Sequence, residues 1–153
     1  MSRVDENLEV VRRADRAWNG RDWVSFEALH AQDVFVRFTV PGGATGRVAL
    51  IEEAETFLDA FPDHQIDFPY LKLFGEGDLV CSVTRSRGTH TGPWKRSDGR
   101  VFRPTGKRME VEMTTVARVL NGEIVERIFY YDTLGMMTQL GLVKIPGGEA
   151  RAA

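Results

Sequence analysis

The chain reads as an α+β fold in which a curved antiparallel sheet wraps around N-terminal helices and leaves an internal pocket. Three observations predict this. Helical periodicity is concentrated in the first 60 residues, and hairpin-linked β patterning dominates the rest. Asn121-Gly122, the pair that best suits a two-residue turn with positive φ at both positions, separates two long β-rich runs, about Arg108–Leu120 and Glu123–Tyr131. Finally, Asp132 follows directly as a candidate N-cap for a short terminal helix in which Leu134, Met137 and Leu140 recur at spacing three.

Upstream, Ser2 caps a first helix with Asp5 three residues on, a short capping box. Val4, Leu8, Val11, Ala14 and Trp18 form its apolar stripe, and Asn19-Gly20 is expected to end it. Asp22 caps a second helix carrying Trp23, Phe26 and Leu29. Val34, Val36, Phe38 and Val40 alternate as a strand, which Pro41-Gly42-Gly43 closes. A third helix is expected over about Arg47–Ala60, stopped by Phe61-Pro62-Asp63. Gln65–Phe74 reads as a strand, Gly75–Asp78 as a turn and Leu79–Thr91 as a longer strand. Gly92–Lys107, with two prolines and several basic residues, reads as a long loop.

At 153 residues the chain suits one domain, 1–153, with a substantial core. A net charge of −2 with mixed signs gives no case for nucleic acid or an anionic membrane surface. No apolar run approaches the roughly 18 residues of a membrane span, and Met1–Leu8 carries charges where a signal peptide needs an apolar core. One cysteine, Cys81, leaves no internal disulfide and no cysteine-rich metal site, and three scattered histidines make no metal cluster. These features lead to the expectation of a cytoplasmic protein without a metal site.

Several stretches, Trp18–Asp22, Phe61–Asp63, Gly88–Gly92, Pro104–Arg108, Asn121–Glu126 and Tyr131–Gly141, occur in an order that resembles the SnoaL-like polyketide cyclases of the NTF2-like superfamily. The resemblance spans nearly the whole chain. It implies a cone-shaped α+β fold, a deep apolar pocket, no cofactor, and a homodimer, possibly a tetramer. It also implies ring-closing chemistry on polyketide-type or aromatic intermediates of secondary metabolism such as antibiotic biosynthesis. Aligned through the Asn-Gly turn, the family's catalytic aspartate falls on Phe129 and its histidine partner on Thr115, neither of which takes a proton from carbon. The alternatives are a non-catalytic ligand-binding or oligomerisation module, or an epoxide-opening enzyme on the same scaffold.

Strand parity nominates the site. Val80, Ser82, Thr84, Ser86, Gly88 and His90 share one face, while Arg85 and Arg87 share the other, so the small-residue face is expected to line the pocket. His90, whose ordinary pKa near 6.5 suits proton transfer, and Asp132 are the acid/base candidates, each also readable as a turn-shaping or capping residue. Tyr131 is the candidate polariser of a developing enolate. His30 and His64, at helix ends, read as surface or capping residues. Glu110 and Glu112 are expected on the outer face opposite Arg85 and Arg87. Trp18, Phe35, Phe38, Phe61, Trp94, Met113, Thr115, Phe129 and Met137 are the expected substrate-binding set, suited to a small hydrophobic or aromatic partner.

Overall fold

The computed structural model describes residues 1–38 and 43–147. Val40, Pro41 and Gly42, part of the predicted first strand and its closing turn, lie outside the described residues. Helix α1 spans Arg3–Gly20, with Ser2 and Asp5 forming the reciprocal capping box expected of them. The helix ends at Gly20, as Asn19-Gly20 suggests, and the cap residue follows. Arg21 takes the left-handed conformation (φ 55°), and its guanidinium donates to the carbonyls of Trp18, Pro62 and His64, bonds that offset the strain of that backbone. Helix α2 (Trp23–Ala28) is capped by Asp22, and α3 runs Arg47–Ala60 as predicted.

The strands are β1 (His30–Arg37), β2 (Ala44–Thr45), β3 (Gln65–Ile66), β4 (Lys72–Glu76), β5 (Leu79–Thr89), β6 (Trp94–Lys95), β7 (Val101–Phe102), β8 (Arg108–Leu120) and β9 (Glu123–Tyr131), followed by helix α4 (Thr133–Gln139). The main sheet is curved and open, in the order β2-β1-β9-β8-β5-β3, with β4 also paired to β5. It differs from the expected all-antiparallel sheet in one place: β1 runs parallel to β9. These two strands lie far apart in sequence, so no hairpin fixes their direction.

Two further expectations are corrected. Gln65–Phe74 is not one strand but two short ones, β3 and β4, since the Phe68-Pro69-Tyr70 segment between them includes a residue without an N–H to donate. The Gly92–Lys107 loop contains a small hairpin, β6 with β7, in which Trp94 sits opposite Phe102.

The β8–β9 hairpin turns at Asn121 (φ 51°) and Gly122 (φ 78°), the positive pair its sequence calls for. Near its closed end lies a bulge. Val119 pairs with Ile124 and Arg118 with Glu126, which leaves Val125 as an extra residue. Beyond the bulge Arg127, Phe129 and Tyr131 face Ala117, Thr115 and Met113 on the concave side. Glu110 and Glu112 stand opposite Arg87 and Arg85 on the outer side, as parity predicts, though the Arg87 ion pair is with Asp67.

Two apolar clusters build the interior. One joins α1, β1 and α3 to the sheet through Val11, Ala14, Trp18, Val34 and Leu50. The other packs Phe61, Trp94, Met109 and Val111 against Met136 of α4 and its C-cap Leu140. Met136 is the buried position of that helix, its C-cap Leu140 is buried four residues on, and Leu134 is exposed. No helix among the described residues is long and apolar enough to cross a membrane.

Candidate functional site

Between the two clusters lies a cavity of about 280 Å³. Its wall is largely aromatic and thioether, with Trp18, Phe38, Phe57, Met113, Phe129 and Met136 among its members. Phe38 and Phe129 stack at 4.8 Å and 18°. Glu53, Lys95 and Ser97, all exposed, mark where the cavity opens between α3 and the β6–β7 hairpin.

Four titratable side chains reach this apolar wall although each is at most 4 % exposed: Asp15, His30, His64 and Arg127. Asp15 stands on the buried face of α1, one turn from Val11 and from Trp18. One of its oxygens meets Arg127 Nη2 at 2.8 Å and the other accepts from the Tyr70 hydroxyl at 2.8 Å. Burial and the Asp15 carboxylate together hold the Tyr70 phenol far above its ordinary pKa. Arg127 also reaches Thr115 Oγ1 at 3.5 Å, and Thr115 shares a 2.6 Å hydrogen bond with Ser82. The guanidinium carbon lies 5.0 Å from the centre of the Phe129 ring, and among the described residues Nε has no partner. Ser86 Oγ, on the same wall, is likewise buried without a partner among the described residues.

Each histidine of the wall has its tautomer fixed by a neighbour. His30 Nδ1 lies 2.6 Å from the Phe26 carbonyl oxygen, which can only accept, so Nδ1 carries the proton. His64 Nδ1 accepts from Trp18 Nε1–H at 2.9 Å, so in the neutral ring Nε2 carries it. Burial drives both rings toward neutrality. The pKa of His30 falls to about 4, with nearby Arg127 and Arg47 adding to the effect of burial, and that of His64 falls to about 3, with Arg21 adding. The expectation that both are helix-end surface or capping residues is corrected: His30 opens β1 and His64 lies between α3 and β3, both buried on the inward side.

Of the residues nominated by sequence, Trp18, Phe38, Trp94, Met113, Phe129 and Tyr131 line the cavity. Burial pushes the Tyr131 phenol up to about 12, which keeps it a proton donor. The others lie elsewhere. Phe35 has the opposite parity from buried Val34 and Val36. Phe61 is fully buried behind the wall, and Thr115 sits beneath Arg127. Met137 is one position off the inward face that Met136 occupies. Asp132 is exposed and accepts from Gly135 N–H at 2.8 Å as the N-cap of α4. His90 is on the small-residue face as expected, but past the end of the cavity. There it stacks on Phe61 (5.2 Å, 27°), lies edge-on to Trp94, and takes the Thr105 N–H at Nδ1. Burial lowers its pKa.

Comparison with known proteins places this arrangement in a wider group. The SnoaL-like polyketide cyclase family model matches residues 8–140. Among solved structures, a candidate SnoaL-like polyketide cyclase from Jannaschia sp. CCS1 superposes with a TM-score of 0.81 at 20 % identity, covering 94 % of this chain and 98 % of that one. IdmH, a candidate polyketide cyclase from Streptomyces antibioticus, gives 0.72 at 25 % identity over 88 % and 98 %. AclR, a candidate hydroxylase from Streptomyces galilaeus, gives 0.74 at 21 % over 92 % and 99 %. A comparison with curated proteins returned no significant match. Helices, bent sheet, internal cavity and a family match over most of its length agree: the chain belongs to the SnoaL-like polyketide cyclase family.

Proposed function

We propose that the protein is an acid/base catalyst that closes a ring, or otherwise moves a proton, in a compact polyketide-type or aromatic carbonyl compound. One observation carries this reading: Asp15, His30, His64 and Arg127 converge, nearly solvent-free, on a wall that is otherwise aromatic. Burying charged and polar groups costs stability unless they are paired, and an ordinary binding pocket for an apolar ligand needs none of them. Perturbed titratable groups in a cleft are the usual mark of proton-transfer chemistry. The family match and the likeness to IdmH support a polyketide-type substrate. A volume of about 280 Å³ sits at the small end of ligand pockets, which run from roughly 300 to 1,000 Å³, and so favours a flat molecule of few rings.

The chemistry balances within one molecule. A carbon between two carbonyls loses its proton to a base, and the electron pair moves toward oxygen. The carbon then attacks a second carbonyl of the same chain, a C–C bond forms, and the new alkoxide takes a proton back. Epoxide opening, the other catalytic possibility, asks for two carboxylates. Here Asp15 has both oxygens engaged, and Glu53 is exposed at the opening.

The test is to incubate the protein with a panel of synthetic aromatic poly-β-ketones and follow products by mass spectrometry. An isomer of the substrate, or its dehydration product, is expected. Met113→Trp, which fills the cavity, should abolish it. Binding of these compounds without conversion across the panel would leave the non-catalytic binding module in place of this reading.

A further inference from the structure

Resting on that acid/base reading, we infer that His30 is the proton-abstracting base and that the Nε–H of Arg127 holds the substrate oxygen as it becomes an enolate. The assignment follows from counting lone pairs. His90 lies past the end of the cavity, and His64 uses Nδ1 to accept from Trp18, so its neutral ring offers only an N–H at Nε2. His30 is the reverse. Its Nδ1–H is committed to the Phe26 carbonyl, and the lone pair is left on Nε2, to which nothing among the described residues donates. Of the carboxylates on the cavity wall, Asp15 already accepts from Arg127 and Tyr70, and Glu53 stands at the exposed rim.

The groups around His30 fit the role. Arg127 on β9 and Arg47 on α3 are the cations that bear on it. Arg47 also donates to the His30 carbonyl at 2.7 Å and pairs with Glu123 at 3.3 Å. Both favour the neutral ring, so the base is unprotonated at any neutral pH. Arg127 brings a charge that Asp15 balances through Nη2, which leaves the Nε–H without a partner among the described residues, on a side chain that lines the cavity. A preorganised donor aimed at developing negative charge in a water-poor site is the electrostatic part of such a reaction. In the step, the C–H bond beside a carbonyl breaks and its proton goes to His30 Nε2. The electron pair forms the C=C bond of the enolate, whose oxygen accepts from Arg127. The same Nε2 proton is returned to the alkoxide after ring closure. Asp15 is a positioning residue, holding the guanidinium in place.

β-Tetralone, a bicyclic ketone with acidic protons beside its carbonyl, and naphthol, a flat phenol resembling its enol, separate the possibilities. In deuterated buffer the wild-type protein should speed exchange of the β-tetralone protons, followed by NMR. His30→Asn retains a donor for the Phe26 carbonyl and loses the lone pair. It should slow exchange by about 10²–10⁴-fold while naphthol affinity changes little. Arg127→Lys keeps a charge beside Asp15 and loses the Nε–H, and should weaken naphthol binding by about tenfold. Undiminished exchange in His30→Asn would overturn the assignment and leave the acid/base reading standing. Absence of exchange with the wild-type protein would overturn both. Should His30→Asn fail to fold, nitrogen-resolved NMR of the wild-type imidazoles decides. An unprotonated His30 Nε2 whose signal shifts on adding naphthol is expected, and a protonated Nε2 would overturn the inference.

Discussion

Asp15 and Arg127 meet at 2.8 Å across the interior, one from the first helix and the other from the last strand, with their side chains 3 % and 5 % exposed. The pair ties the two ends of the chain together at the cavity floor. Asp15→Asn removes the compensating charge and should cost about 3–5 kcal/mol, read from denaturant midpoints. Replacing both partners by Leu and Met should recover much of that stability, since an apolar pair carries no desolvation cost. Catalysis should not return with it.

Stability should fall on mild acidification. His30 and His64 have folded pKa values of about 4 and about 3, below the ordinary 6.5 that applies in the unfolded chain. The unfolded state therefore binds more protons in this window. Stability is fully present above pH 6.5 and is lost as pH falls toward the folded values. Each histidine should remove about 1.4 kcal/mol per pH unit, so roughly 4 kcal/mol in all by pH 5. Urea unfolding between pH 7.5 and 5 measures this. His30→Asn or His64→Asn should each halve the slope.

His90→Ala should act on the fold. It opens a gap between Phe61 and Trp94, and a loss on the order of 2–3 kcal/mol in thermal or denaturant stability is expected. Protein that remains folded should retain β-tetralone exchange, because the ring lies beyond the cavity. A loss of exchange at unchanged stability would return His90 to the catalytic role that its strand face suggests.

Asp132 offers a clean separation of capping from charge. Asp132→Ala should cost about 1 kcal/mol, and Asp132→Asn should be close to neutral, since Asn accepts the same Gly135 N–H. Neither change should alter the proton-transfer rate in the folded protein. Thermal melts alongside the exchange assay distinguish the two effects.

Local rules were enough for most of the frame. Ser2 with Asp5, the Asn121-Gly122 turn and the bounds of α3 are each fixed by residues a few positions apart, and the structure agrees. Two-residue strands such as β3, β6 and β7 offer too little alternation to be read. The aromatic half of the site followed from the α1 stripe and from strand parity, and Trp18, Met113 and Phe129 stand where these put them. The polar half did not. Asp15 interrupts the apolar stripe of α1 between Val11 and Trp18, and an acid on that buried face was the available signal. The character of His64 depends on Trp18, 46 residues away in sequence, and that of His30 on a carbonyl made available by the end of α2. Neither can be seen from a residue's immediate neighbours.

Val125 has a bearing on how this chain can change in length. In a strand, gaining or losing one residue normally exchanges the two faces for everything beyond it. Here the bulge has already absorbed one residue. Excising Val125 would leave Ile124 opposite Val119 and Glu126 opposite Arg118, an unbroken ladder with Arg127 still turned inward. The same excision between Arg127 and Tyr131 would send the remaining inward side chains out to solvent. The strand thus holds one spare link, placed so that its loss straightens the ladder and spares the site.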